Sequence, residues 1–137
     1  MIPTPSTELL WMAFSVLAVG LMWLPDIGQL IAQEGLSAAA YDPARKAEHT
    51  AAWARRARRA HQNAVENIAV FAPLAIAVAM TGAGTKMTAI AAFVYFAARI
   101  GHFVVYVFAV PYLRVIFFAI GWGAILALAA ALIGALL

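Results

Sequence analysis

Four long apolar stretches, separated by short polar segments, account for most of the 137 residues of this chain. The hydrocarbon core of a bilayer takes about 20 residues of α-helix to cross. The first stretch begins near Leu9 and reaches Leu24 before meeting Pro25-Asp26. Proline kinks a membrane helix without necessarily ending it, so a helix is predicted over 9–33. Residues 35–50 are polar, with Tyr41-Asp42-Pro43 as a turn signal. A second helix is predicted over 51–80, its membrane part beginning near Asn63. Thr81-Gly82-Ala83-Gly84-Thr85 reads as a short turn, and a third helix follows over 86–109. Pro111 marks a tight connection into a fourth helix over 112–137. The predicted fold class is all-α: an integral membrane four-helix bundle forming a single domain over 1–137.

Composition agrees with that pattern. Hydrophobic residues make up 66% of the chain, charged residues 11%, and the mean hydropathy is +0.91, a balance that belongs to membrane proteins. The net charge of +3 comes from clustered arginine at a membrane edge and not from a water-facing basic surface, so nucleic acid is not an expected partner. Cysteine is absent, which excludes disulfides, a thiolate nucleophile and cysteine metal sites. Any thiol chemistry has to use a thiol supplied by a substrate. No basic region precedes the first apolar run, where Glu8 stands instead, so that run does not read as a cleavable signal. Arg45, Lys46, Arg55, Arg56, Arg58 and Arg59 lie between the first two spans and Arg114 between the last two, with only Lys86 on the other side. The excess of positive charge predicts that this side is cytoplasmic and that both termini lie away from the cytoplasm. The many Ala and Gly residues of the spans are expected to let helices approach closely.

Two lines of polar residues interrupt the apolar spans. At about 100° per residue, Arg55, Arg56, Arg59, Asn63 and Glu66 share one arc of the second helix. Tyr95, Arg99, His102 and Tyr106 share a narrower arc of the third. Arg99 stands deep in an apolar stretch, where a charge costs at least ~2.5 kcal/mol. It must face protein and needs an anion, and Glu66 is the expected partner. Such a pair can serve only helix register. Basic groups outnumber acidic ones at this end, however, and the planar fork of arginine suits a bound carboxylate or phosphate. The run from Arg55 to Arg59 could also anchor lipid headgroups. His49, His61 and His102 share no ligand spacing, so no metal site is expected. The tryptophans read as an interfacial belt. No glycine-rich phosphate loop and no Ser/His/Asp set is present.

The polar lines carry a resemblance. Arg56-x-x-Arg59-Ala60-His61-x-Asn63-x-x-Glu66-Asn67 followed by Phe71, then Ala98-Arg99-Ile100-x-His102-x-x-x-Tyr106, then Pro111-x-x-Arg114 with Phe117-Phe118-x-x-Gly121, occur in order on the second, third and fourth spans. Together they resemble the MAPEG family (membrane-associated proteins in eicosanoid and glutathione metabolism), here a bacterial-type member similar to the microsomal glutathione transferases. The resemblance implies a homotrimer in a bacterial inner membrane, with a glutathione site between protomers open to the cytoplasm and to lipid. It implies that Arg56, Arg59, Asn63 and Glu66 hold glutathione from the second helix, Glu66 taking the ammonium and the arginines the carboxylates. Arg99, His102 and Tyr106 would line the site from the third helix. Arg114 would stabilise the thiolate, with Tyr106 or Tyr112 as hydrogen-bond donors. Gln62 stands where some members carry a basic residue, and the first span has no basic residue.

The implied activity is that of a glutathione-dependent transferase or peroxidase acting on lipophilic electrophiles. A second reading keeps the fold and removes the chemistry, leaving a protein that binds glutathione or lipid without turnover. A third, a small multidrug exporter, needs a carboxylate embedded in the first span. Glu8 and Asp26 are expected to flank that span and not to lie within it.

Overall fold

A computed structural model describes residues 6–41 and 50–137. Six helices follow one another: α1 (Thr7–Leu21), α2 (Leu24–Glu34), α3 (Leu36–Ala40), α4 (Ala52–Thr81), α5 (Lys86–Val107) and α6 (Leu113–Leu136). Four units are long and apolar enough to cross a bilayer: Thr7–Glu34, Ala52–Thr81, Lys86–Val107 and Leu113–Leu136. The predicted spans agree with these to within about two residues at each end.

The first span is broken, and the break lies before the proline. A proline ring clashes with the carbonyl four residues back and supplies no N–H. For Pro25 that carbonyl belongs to Leu21, where α1 stops. Pro25 then sits in the first turn of α2, where its fixed φ suits a helix start. Pro73 is carried inside α4 instead, on an exposed side of the helix. The stretch after Gly35 is not all loop: Gly35, at φ 83°, turns the chain into the short helix α3. The predicted turn at Asp42-Pro43, together with Arg45, Lys46 and His49, lies outside the described residues.

Exposed surface on this protein is largely leucine, valine, isoleucine and phenylalanine, including Leu10, Leu17, Leu126 and Ile133. Water would penalise such a surface; lipid does not. The interior is built from small residues. Ala54, Ala57, Ala60, Ala64 and Ala75 of α4, Ala91, Ala92 and Ala98 of α5, and Gly121 and Ala124 of α6 are all buried. Phe71 and Tyr95 stack between α4 and α5, ring centroids 3.7 Å apart.

α5 and α6 pack most extensively, and two glycine notches fix their register. A Cβ on Gly101 would fall 2.5 Å from the ring of Phe117, and one on Gly121 would fall 2.8 Å from Nη2 of Arg99. Each helix therefore receives one large side chain from the other. Gly101→Val is expected to destabilise the protein by about 1–3 kcal/mol through overpacking, and Phe117→Ala in the same chain should restore part of the loss. Thermal unfolding in detergent checks both; an undisturbed Gly101→Val melt would mean that the notch does not set the register.

Glu8 and Asp26 correct an expectation. Both lie within the first span and both are buried. The Glu8 carboxylate accepts from Ser6 Oγ at 2.6 Å and from Thr88 Oγ1, tying the start of α1 to the start of α5. Asp26 is likewise engaged within the protein. The two carboxylates are thus taken up by the fold.

Candidate functional site

α4 has 30 residues, about 45 Å, against a hydrocarbon core of about 30 Å. About a third of it stands outside the apolar layer, and the Ala52 end carries the arginines. Arg56 Nε donates to the carbonyl of Val107 at 2.8 Å, joining the start of α4 to the end of α5. Arg114 lies over the ring of Tyr106 at 5.5 Å. The arginines of α4 and Arg114 therefore share one end of the bundle, while Lys86 lines a cavity with Ser6 and Glu8 at the other.

The polar arc of α4 is divided between two surroundings. One edge, Arg56, Asn63 and Asn67, turns toward α5 and is half-buried or buried; the other edge, Arg55, Arg59, Gln62 and Glu66, is exposed on the protomer. The expected Arg99–Glu66 pair does not form. Glu66 lies about 60° further round the helix than Asn63, and α5 packs on the Asn63 edge. Arg99 Nη1 instead donates to Asn63 Oδ1 at 3.4 Å, a long bond by normal standards. Asn67 Nδ2 donates to the Asn63 carbonyl at 2.8 Å.

Arg99 is only 3% exposed. Its guanidinium lies 5.8 Å from the Tyr95 ring centroid and 5.4 Å from that of Phe118, within cation–π range. Those rings stabilise the charge but do not use its donors. Nε and Nη2 of Arg99, Oδ1 of Asn67 and the hydroxyl of Tyr95 are buried without a hydrogen-bond partner. Buried polar atoms are nearly always partnered, and these, on the facing flanks of α4 and α5, are left unsatisfied within the protomer. The line Tyr95, Arg99, His102, predicted as one face, is the most buried face of α5.

Nearer the arginine end the line opens. His102 is buried, 5.6 Å from Tyr106 and 6.2 Å from Phe118 between ring centroids. It lines a cavity of about 280 Å³ with Tyr106, Arg114, Val115 and Phe118. Tyr106, Arg114 and Val115 also line a larger cavity of about 540 Å³, completed by Arg56, Val105, Ala109, Val110, Pro111 and Tyr112. Among the described residues, no acidic side chain lines either cavity. Arg114 stands in the first turn of α6, where the positive end of the helix dipole also attracts negative charge. Two guanidinium groups and a helix start thus surround a space that suits an anion.

Of the residues singled out from sequence, Arg56, Asn63, Arg99, His102, Tyr106 and Arg114 form a continuous row between α4, α5 and α6. Arg59 and Glu66 lie outside that row, on the uncovered side of α4. Asn67 and Gly121 were legible only as parts of a motif. Their roles follow from the fold, Asn67 as an orphaned acceptor and Gly121 as the notch that admits Arg99. Among the described residues, no group of three His, Cys, Asp or Glu side chains gathers as a metal site requires.

Fold and site define a multi-pass integral membrane protein, a helical bundle with a cationic cleft at one end of its spans. The chain belongs to the MAPEG family, whose model matches residues 8–134. Comparison with curated proteins and with solved structures gave no match.

Proposed function

We propose that this protein is a membrane-bound glutathione-dependent transferase, working as a homotrimer with its sites between protomers. The observation that carries the activity is the cleft around the start of α6, where Arg56, Arg114 and Tyr106 meet and, among the described residues, no carboxylate lines the wall. Glutathione brings two carboxylates, an ammonium and a thiol. Arg56 and the unpartnered, buried donors of Arg99 suit its carboxylates, and Glu66 its ammonium. Arg114 and the first turn of α6 suit the sulfur, because nearby positive charge lowers the pKa of a thiol from about 8.5 and raises the thiolate fraction. A thiolate so held is the nucleophile for a lipophilic electrophile arriving through the bilayer. What the chain contributes is binding, orientation and charge.

Support for an oligomer comes from the other edge of α4. Arg55, Arg59, Gln62, Glu66, Ala69, Pro73, Ile76 and Met80 are all exposed and recur at alternating steps of four and three. This is the spacing of a helix–helix seam. A glutamate facing lipid within the apolar layer is costly, whereas a second copy of α4 would cover Glu66. A ligand at that junction would meet Arg59 and Glu66 beside the Asn63 row. The natural lack of cysteine makes a clean test: Ala69→Cys should give oxidant-induced cross-linked dimers in membranes, and Ala75→Cys, fully buried, should not. Absence of Ala69→Cys cross-links with the protein folded would remove the seam. The excess of positive charge supports an orientation with the arginine end in the cytoplasm and the termini on the far side.

The activity is tested by titrating the detergent-purified protein with glutathione, following heat and ultraviolet thiolate absorbance together. Binding with a thiolate band is expected. Binding without it would favour a non-catalytic member, and no binding at millimolar glutathione would overturn the reading.

A further inference from the structure

The end of the bundle away from the arginines holds a second polar space. The spans Thr7–Glu34 and Lys86–Val107 begin there and Ala52–Thr81 ends there, so it stands where three helices leave the apolar layer. A cavity of about 620 Å³ opens between them, its wall including Ser6, Glu8, Gly84, Thr85 and Lys86. It carries both signs of charge. Glu8 is only 4% exposed, yet its partners Ser6 and Thr88 are neutral hydroxyls, and among the described residues no cation pairs with it. A buried carboxylate is rarely left without a cation, and two hydroxyls leave about half of its roughly four acceptor positions open. Gly84 keeps the carboxylate uncovered on the cavity side: a Cβ there would stand 3.3 Å from Oε1. Lys86 is exposed at the rim, and the positive ends of the α1 and α5 dipoles meet at the same space.

Below the cavity the surface turns aromatic. On α1, Trp11 and Phe14 continue the face of Thr7; on α5, Phe93 and Phe96 continue the face of Lys86 and Ala89. The Trp11 ring lies 4.8–5.6 Å from the other three between centroids, and Phe14 and Phe93 are exposed. An interfacial belt is made of Trp and Tyr, whose polar tips sit among the headgroups. This strip is mostly Phe, which has no polar tip, and it runs from the headgroup level into the apolar layer. A doubly charged cavity with an apolar track in line beneath it has the shape and polarity of one phospholipid.

We propose that this is a binding site for a phospholipid bearing a primary ammonium, of the phosphatidylethanolamine class, with its ammonium on Glu8, its phosphate at Lys86 and an acyl chain along the aromatic strip. A primary ammonium donates three hydrogen bonds and fits the open acceptor positions of Glu8. A quaternary ammonium donates none and is ordinarily held by aromatic rings; among the described residues no aromatic side chain lines this cavity. An anionic headgroup would leave Glu8 without a cation. The site lies at the opposite end of the spans from the cleft at α6 and is independent of its chemistry.

The test uses a variant in which Trp23, Trp53 and Trp122 are replaced by phenylalanine, so that Trp11 alone reports. It is reconstituted into phosphatidylcholine vesicles containing lipids with brominated acyl chains, which quench tryptophan on contact. Brominated phosphatidylethanolamine is expected to bind beside Trp11 about tenfold more strongly than brominated phosphatidylcholine or phosphatidylglycerol, the worth of one hydrogen bond to a charged group. Glu8→Gln, which removes the charge, and Gly84→Val, which covers the carboxylate, should each abolish that preference. The natural protein gives an independent answer by melting in detergent. Short-chain phosphatidylethanolamine should raise its Tm by several degrees more than the choline lipid does, because a ligand of the folded state stabilises it, and water-soluble O-phosphoethanolamine should leave it unchanged. Equal quenching or equal stabilisation by the ethanolamine and choline lipids, a preference that survives both substitutions, or full stabilisation by the free headgroup would each overturn the proposal.

Discussion

Replacing Arg114 by alanine is expected to lower glutathione-dependent turnover by about 100- to 1,000-fold, the cost of removing one preorganised charge-stabilising group from an active site. Arg114 is exposed at the start of α6, and its guanidinium is held over Tyr106. It is thus oriented before any ligand arrives. The sign of the pH effect follows from the thiol. On the proposed transferase reading, Arg114 would let the bound thiol ionise below its ordinary pKa of about 8.5, and turnover should be nearly flat above neutrality. Without it, the pKa returns toward that value, and residual turnover should climb between about pH 7 and 9 as the thiolate fraction recovers. A pH–rate profile of the variant, read beside its thiolate absorbance, measures both. Arg114→Lys should keep part of the activity, retaining charge but losing the planar contact. Full turnover in Arg114→Ala would mean that the sulfur is not held at the start of α6.

Arg99→Met is expected to separate stability from function. In the protomer Arg99 is buried, its one hydrogen bond is long, and Nε and Nη2 have no partner. A buried charge without full compensation is costly, and replacement by an apolar residue of similar volume is often stabilising by about 1–4 kcal/mol. The variant should therefore melt several degrees higher while binding glutathione at least about tenfold more weakly, since an arginine–carboxylate contact is among the stronger hydrogen-bonded pairs. Residues kept at a cost to stability are characteristic of functional sites. Thermal melts and calorimetric titration decide the outcome. A variant that is both less stable and fully competent to bind would assign Arg99 to helix register alone.

Much of the fold was legible along the chain because membrane constraints are local. Span lengths follow from bilayer thickness, and their ends from glycine, proline and charge. The break in the first span was legible as a kink at Pro25, but its position was not. It is set by the clash with Leu21, which moves it ahead of the proline. Short α3 was missed because a five-residue helix leaves too weak a periodicity to read. Within the site, the helical arcs were legible and their partners were not. A helical wheel gives the angle of Glu66 relative to Asn63 but not which neighbouring helix covers which angle. The positive φ of Ala109 (58°) and Tyr112 (64°), in the turn between α5 and α6, had no sequence signal at all, since neither is a residue that favours it.

By itself the sequence determined four membrane-spanning helices, a cysteine-free protein, two polar arcs and the family motifs, all properties of single segments in a known solvent. Only the tertiary structure decided which edge of each arc is buried. It set Asn63 beside Arg99 and left Glu66 uncovered, fitted Arg99 into the Gly121 notch, and opened the cleft at Arg56, Tyr106, Tyr112 and Arg114. The physical reason is that a buried polar group is defined by what packs around it. That packing depends on which small residues let two helices come close, and no segment carries the information alone.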